Sequence, residues 1–168
     1  MHNEELRRQS EKILSLIDTA EATFEEDDEM RSHLAKYICI LCSGFVENAV
    51  HAIYIDYVKK ESNSAEVISF TTVTLNKIQN PNAEKFREIA KSFKLDWEVA
   101  LNAFFQIEEK SAALNYIMKE RHKVAHGKDS DITLGRIREY HNKTVEVIKF
   151  IENQCGLIPA ETEIEVAH

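Results

Sequence analysis

The chain is poor in the residues that punctuate a many-stranded fold, with four glycines and two prolines in 168 residues. So few turn formers argue against sandwiches and barrels and leave helix as the default. Long apolar runs are missing as well: no stretch approaches the roughly 18 consecutive apolar residues of a membrane span. Glu4, Glu5, Arg7 and Arg8 lead into no apolar segment of the kind a secretory signal carries. These absences predict a cytoplasmic protein with no membrane contact. Cysteine is scarce and odd in number, and Cys39, Cys42 and Cys155 make no disulfide framework. The Cys39-x-x-Cys42 pair lies inside an apolar helical run rather than opening a helix after a strand, so buried thiols are expected there and not a redox or metal pair. No Gly-rich phosphate loop, nucleophile elbow, Ser-His-Asp arrangement or carboxylate cluster for divalent metals is present in the sequence. A net charge of −8 excludes nucleic-acid binding through the surface as a whole, because phosphate affinity is mostly electrostatic.

What is present is a succession of helical stripes. Apolar residues make up 43% of the chain and charged residues 30%, enough for one ordinary core and one domain, expected over 1–155 with a loose acidic tail at 156–168. Leu6, Ile13, Leu14, Ile17 and Ala20 recur at helical spacing through a first helix over 4–24. A long central helix over 29–60 follows, with Leu34, Tyr37, Ile38, Leu41, Phe45, Ala49, Ile53 and Tyr57. Its first half, Tyr37 to Cys42, is apolar nearly all round and therefore buried on more than one side, within the bundle or at a subunit interface. Residues 61–82 break the pattern and predict a short helix and an irregular connection. Asn82 is placed to cap a helix over 83–93, Asp96 to start Trp97–Phe105, Ser111 to open 112–123, and Thr133 to cap a last helix carrying Leu134, Ile137, His141, Thr144, Ile148 and Ile151.

Chemistry concentrates at Arg121-His122-Lys123-Val124-Ala125-His126-Gly127. Arg121 carries a planar fork of donors that suits phosphate, and the His126 imidazole exchanges a proton near neutral pH. From Lys119 to Lys128 the balance is +3 on an acidic chain, through Lys119, Arg121, Lys123 and Lys128 against Glu120. Such a reversal steers a phosphate towards the segment, although basic residues complementing a helix dipole look the same. His122 and His126, four apart, have the spacing of a zinc-binding pair. Lys123 stands where a catalytic Glu belongs, so no metal is expected. His51 and His141 fall near buried stripes and read as structural histidines.

This segment resembles the Arg-x4-His signature of the HEPN superfamily, small all-helical domains of toxin, RNA-processing and phage-defence proteins. The Gly44–Val50 stretch (Gly-Phe-Val-Glu-Asn-Ala-Val), the place of the motif before the last helix, and Ile132-Thr133-Leu134 at the start of that helix fit the same resemblance. The resemblance implies an all-α, antiparallel helical bundle with long central and C-terminal helices. It implies a metal-independent endoribonuclease without cofactor, working as a homodimer because one histidine per chain cannot serve both sides of a phosphate. Arg121 would hold the scissile phosphate and His126 would move the proton. His122 would orient the phosphate or donate a second proton, and Lys123 and Lys128 would add local charge. The cleavage would leave a 2′,3′-cyclic phosphate and a 5′-hydroxyl. Setting and partners would be a toxin–antitoxin or antiviral system, RNA, and a cognate antitoxin or defence protein. Some HEPN domains keep the fold without catalysis and bind RNA or a nucleotidyltransferase-type antitoxin instead. Glu47 and Asn48, polar residues inside the central helix, are candidates to stand behind the site, with Glu47 either pairing with Arg121 or serving a structural or solvent-facing role.

Overall fold

The computed structural model describes residues 1–157. Every regular element among them is helical, and together they form an all-α bundle. In order these are α1 (Glu4–Thr23), α2 (Glu29–Glu61), α3 (Ala65–Leu75), α4 (Ala83–Phe93), α5 (Leu95–Gln106), a 3-10 turn (Ile107–Glu109), α6 (Lys110–Ala125) and α7 (Leu134–Gln154).

Helix starts follow local chemistry. Asn3, Asp28, Ser64, Asn82 and Thr133 each accept a hydrogen bond from a backbone N–H of the first turn, as capping residues do. Two starts do not follow it. Helix α5 begins at Leu95, ahead of Asp96, because Lys94 closes α4 and opens α5 at a single corner without a side-chain cap. Phe93 stacks on Tyr54 (4.8 Å between ring centroids), Trp97 sits edge-on to Tyr57 (4.9 Å), and the Lys94 ammonium lies over Trp97 (4.8 Å). Aromatic packing therefore sets that corner. Helix α6 begins at Lys110 and not at the Ser111 cap expected from sequence. Lys110 is 2% exposed, its ammonium reaching Glu146 of α7 at 2.9 Å and Glu108 at 3.2 Å. Glu108 and Glu109 take left-handed conformations to bring the chain there.

Helix α2 packs against α1, α3, α6 and α7. Its buried residues, among them Ile38, Cys39, Cys42, Phe45, Val46, Ala49, Val50, Ile53 and Tyr54, lie on several sides. By length and composition α2 could cross a membrane, with a mean hydropathy of 1.6 in its most apolar window, yet 56% of that window is buried inside the bundle. Serving as the core helix accounts for its composition. Cys39, Cys42 and Cys155 are free and buried, and burial pushes the thiols of Cys39 and Cys155 up to about 12.

Helix α3 is different. It packs on α2 and buries Leu75, while Val67, Phe70 and Val73 stay exposed, Phe70 at 75%. At the far end, Gly156 takes φ +62, its carbonyl accepts from Lys60 Nζ at 2.8 Å, and Leu157 packs against the core. Gly156 and Leu157 thus belong to the domain rather than to the expected tail, whose other residues lie outside those described.

Candidate functional site

Helix α6 buries Leu114, Ile117 and Met118 and delivers the Arg121–Gly127 segment at its C-terminal end. The stop is built by Gly127 at φ +64, with Lys128 N–H donating to Lys123 O (2.9 Å) and Gly127 N–H to Val124 O (3.2 Å). This paired closure is the Schellman arrangement, which needs a left-handed residue just past the helix. Glu120, 3% exposed, then ties the following loop back. It accepts from the buried Ser130 hydroxyl at 2.7 Å and pairs with Lys123 at 2.8 Å. Burial works to raise the Glu120 carboxyl, but the bonds from Lys123 and Ser130 outweigh it and hold the group below the ordinary carboxylate range.

Arg121, half-buried, and His122 line a cleft of about 440 Å³ together with Lys119 and Asn115 of the same helix, Arg87 and Glu84 of α4, and Asn80 and Asn82 of the preceding loop. Arg87 pairs with Glu84 at 3.1 Å. Among the described residues Lys119 and Arg121 make no ion pair, so two cations face the cleft uncompensated. His126 is exposed and caps α6 through its N–H, and its ring lies 4.4 Å from that of His122. It does not itself line the cleft. Lys128 is exposed beyond the helix stop, and Lys123 is engaged by Glu120. The expected basic segment is therefore divided, with Lys119 and Arg121 at the cleft and Lys123 and Lys128 away from it.

The model of the RiboL-PSP-HEPN family matches residues 4–156, which takes in every helix. The chain belongs to this family. It is a HEPN-superfamily domain, as the motif and its place before the last helix implied. Comparisons with curated proteins and with solved structures found no match.

In this HEPN domain the polar residues of α2 do not meet Arg121. Glu47 accepts a 2.7 Å hydrogen bond from the Asn80 N–H, the structural role of the alternatives the sequence left open rather than the ion pair with Arg121. Ser43 and His51, four residues either side of Glu47 and so on its face, hold the same loop: Ser43 Oγ donates to Asn80 Oδ1 (3.2 Å), and His51 Nε2 lies 3.1 Å from Ile78 O. This three-residue face fixes the loop that forms one wall of the cleft and keeps Asn80 at φ +47. Asn48 stands apart from the cleft, a correction of its expected place behind the site. Its amide donates to Gln9 of α1 at 3.3 Å and lines a separate, more apolar groove with Tyr37, Ile40 and Gly44. Sequence reasoning missed Asn80, Arg87 and Asn115 at the site, and read Asn82 only as a cap. The i, i+4, i+8 polar face of α2 was the available signal, but it names no partner until the fold brings the loop against it. Among the described residues no three His, Cys, Asp or Glu side chains form a metal-sized cluster.

Proposed function

We propose that this HEPN domain is a metal-independent endoribonuclease that works as a homodimer. The observation that carries the reading is the cleft lined by an unpaired Arg121 with Lys119 and His122, whose ring lies 4.4 Å from that of His126. RNA supplies its own nucleophile. The 2′-oxygen forms a bond to phosphorus, the bond to the 5′-oxygen breaks, and the products are a 2′,3′-cyclic phosphate and a 5′-hydroxyl. One imidazole takes the 2′-hydroxyl proton, another group delivers a proton to the departing 5′-oxygen, and Arg121 stabilises the charge on the phosphate. Arg121 and His126 are five positions apart, which turns them by roughly 140° about a helix. A two-fold dimer that sets the two motifs face to face supplies the second histidine and joins the cations to both imidazoles. The setting we infer is a toxin–antitoxin or antiviral system in the cytoplasm, with a cognate antitoxin or defence protein as partner.

A second reading is favoured by one observation: the exposed Val67, Phe70 and Val73 on α3 suit a protein surface. In that reading the domain is non-catalytic and binds RNA or an antitoxin.

One experiment separates the two. Wild type, Arg121→Ala and His126→Ala are incubated with a mixed RNA pool in EDTA, and fragment ends are mapped. Cyclic-phosphate ends from the wild type, reduced at least ~100-fold in both variants with helicity and mass retained, are expected. Undiminished cleavage by either pure variant would sink the assignment.

A further inference from the structure

The three asparagines of the cleft have their oxygens turned inward. Asn82 Oδ1 accepts from the Lys85 N–H at 2.9 Å, and Asn115 Oδ1 accepts from the Ala83 N–H at 3.0 Å. A backbone N–H can only donate, so flipping either carboxamide would set donor against donor, and the chain itself fixes both orientations. Asn80 Oδ1 takes the Ser43 hydroxyl at 3.2 Å. What these residues leave to the cleft is their Nδ2 amino groups. Lys119 and Arg121 have donors and no acceptor, while the remaining acceptors of the cleft are on Glu84, one of whose oxygens takes Arg87 at 3.1 Å, and on the His122 ring. The part of the wall formed by the three asparagines, Lys119 and Arg121 therefore offers hydrogen-bond donors.

We propose that this wall is a base-reading subsite that takes an oxo nucleobase, uracil or guanine, next to the phosphate held by Arg121, and disfavours cytosine and adenine. The inference rests on the RNA reading of the site. Phosphate is already served by the two free cations, whereas neutral amino groups distinguish a carbonyl from an amino group. An asparagine that reads adenine uses its oxygen and nitrogen together, and the oxygens here are committed. Guanine presents O6 beside N7, and uracil presents O4, as acceptors to such a wall. The amino groups of cytosine and adenine would point at N–H groups, leaving donors unpaired. A volume of about 440 Å³ is the size of a single-ligand site.

The test uses the full chain with His126→Ala, so that strands stay intact, and labelled six-nucleotide RNAs read by fluorescence anisotropy. Oligouridine against oligocytidine, and an inosine strand against its adenosine counterpart, differ at the carbonyl or amino position. The oxo strand of each pair is expected to bind about tenfold more tightly. Asn82→Asp and Asn115→Asp keep an oxygen for the Lys85 and Ala83 N–H groups but replace the amino donor with an acceptor. In each, the ratio should fall towards one, with helicity and Tm retained. The added charge weakens both strands alike, so the ratio isolates base reading. Equal binding of both strands by the parent, or a ratio unchanged in both Asp variants, would overturn the proposal. Oxo-selective binding without cleavage by wild type would overturn the nuclease and leave the subsite standing; no binding of any strand at low salt would overturn both.

Discussion

His141 has no exposed surface. Its Nε2 lies 2.9 Å from Ser10 Oγ, its ring is edge-on to Phe45 at 5.2 Å, and its Nδ1 has no partner. Burial depresses the imidazole from 6.5 to about 4, so the folded protein keeps it neutral at pH 7. Between those two values the unfolded chain binds a proton that the folded chain refuses, and stability must fall as pH drops through the window. The loss amounts to about 2 kcal/mol by pH 5. Urea unfolding at pH 7 and pH 5 should show this acid sensitivity in wild type and a clearly shallower one in His141→Gln; identical slopes would remove His141 as its source. The sequence placed His141 on a buried stripe, which sufficed to read it as structural. It could not nominate Ser10, 131 positions away, because nothing local relates α1 to α7. Glu47 was less legible for the same reason: its need for a partner could be read, but the partner proved to be a backbone N–H of a loop.

At the scale of elements, the stop of α6 is local and the start is not. Gly127 at φ +64 has nothing within 4 Å of an added Cβ, so replacing it tests backbone strain alone. Gly127→Ala is expected to lower stability by about 1 kcal/mol, with Gly127→Asn nearer to wild type, and to speed amide exchange at the end of α6. Denaturant unfolding and hydrogen exchange measure both, and an unaffected Ala variant would mean that the left-handed stop does not hold the motif. The start of α6 is fixed by Lys110 reaching Glu146 across the bundle, an ion pair no cap rule foresees. Likewise Asn82 and Thr133 were readable as caps, while the corner at Lys94 depends on rings from α2, α4 and α5.

For the whole molecule, α2 is the structural axis on which α1, α3, α6 and α7 pack. Phe45, 2% exposed, lies in its middle against His141. Phe45→Ala should cost about 4 kcal/mol. In a domain of this size that lowers Tm by about 10 °C. Calorimetry checks the value, and a fall of only a degree or two would show that the bundle closes around the cavity.

By itself the sequence determined the helical class, the positions of most helices, the core role of α2 and the Arg121–His126 segment with its family, because periodicity, caps and a short motif act over a few residues. The expected burial of Tyr37 and Ile40 within the bundle did not hold, since they lie 52% and 39% exposed on the face of α2 that lines the apolar groove. Only the tertiary structure decided that Arg121 faces the cleft while His126 lies behind His122, that Glu47 holds Asn80, and that three asparagine oxygens are spent inward. Those outcomes depend on which side chains meet after the helices pack, and residues of α2, the 76–82 loop, α4 and α6 meet only when the core between them is filled.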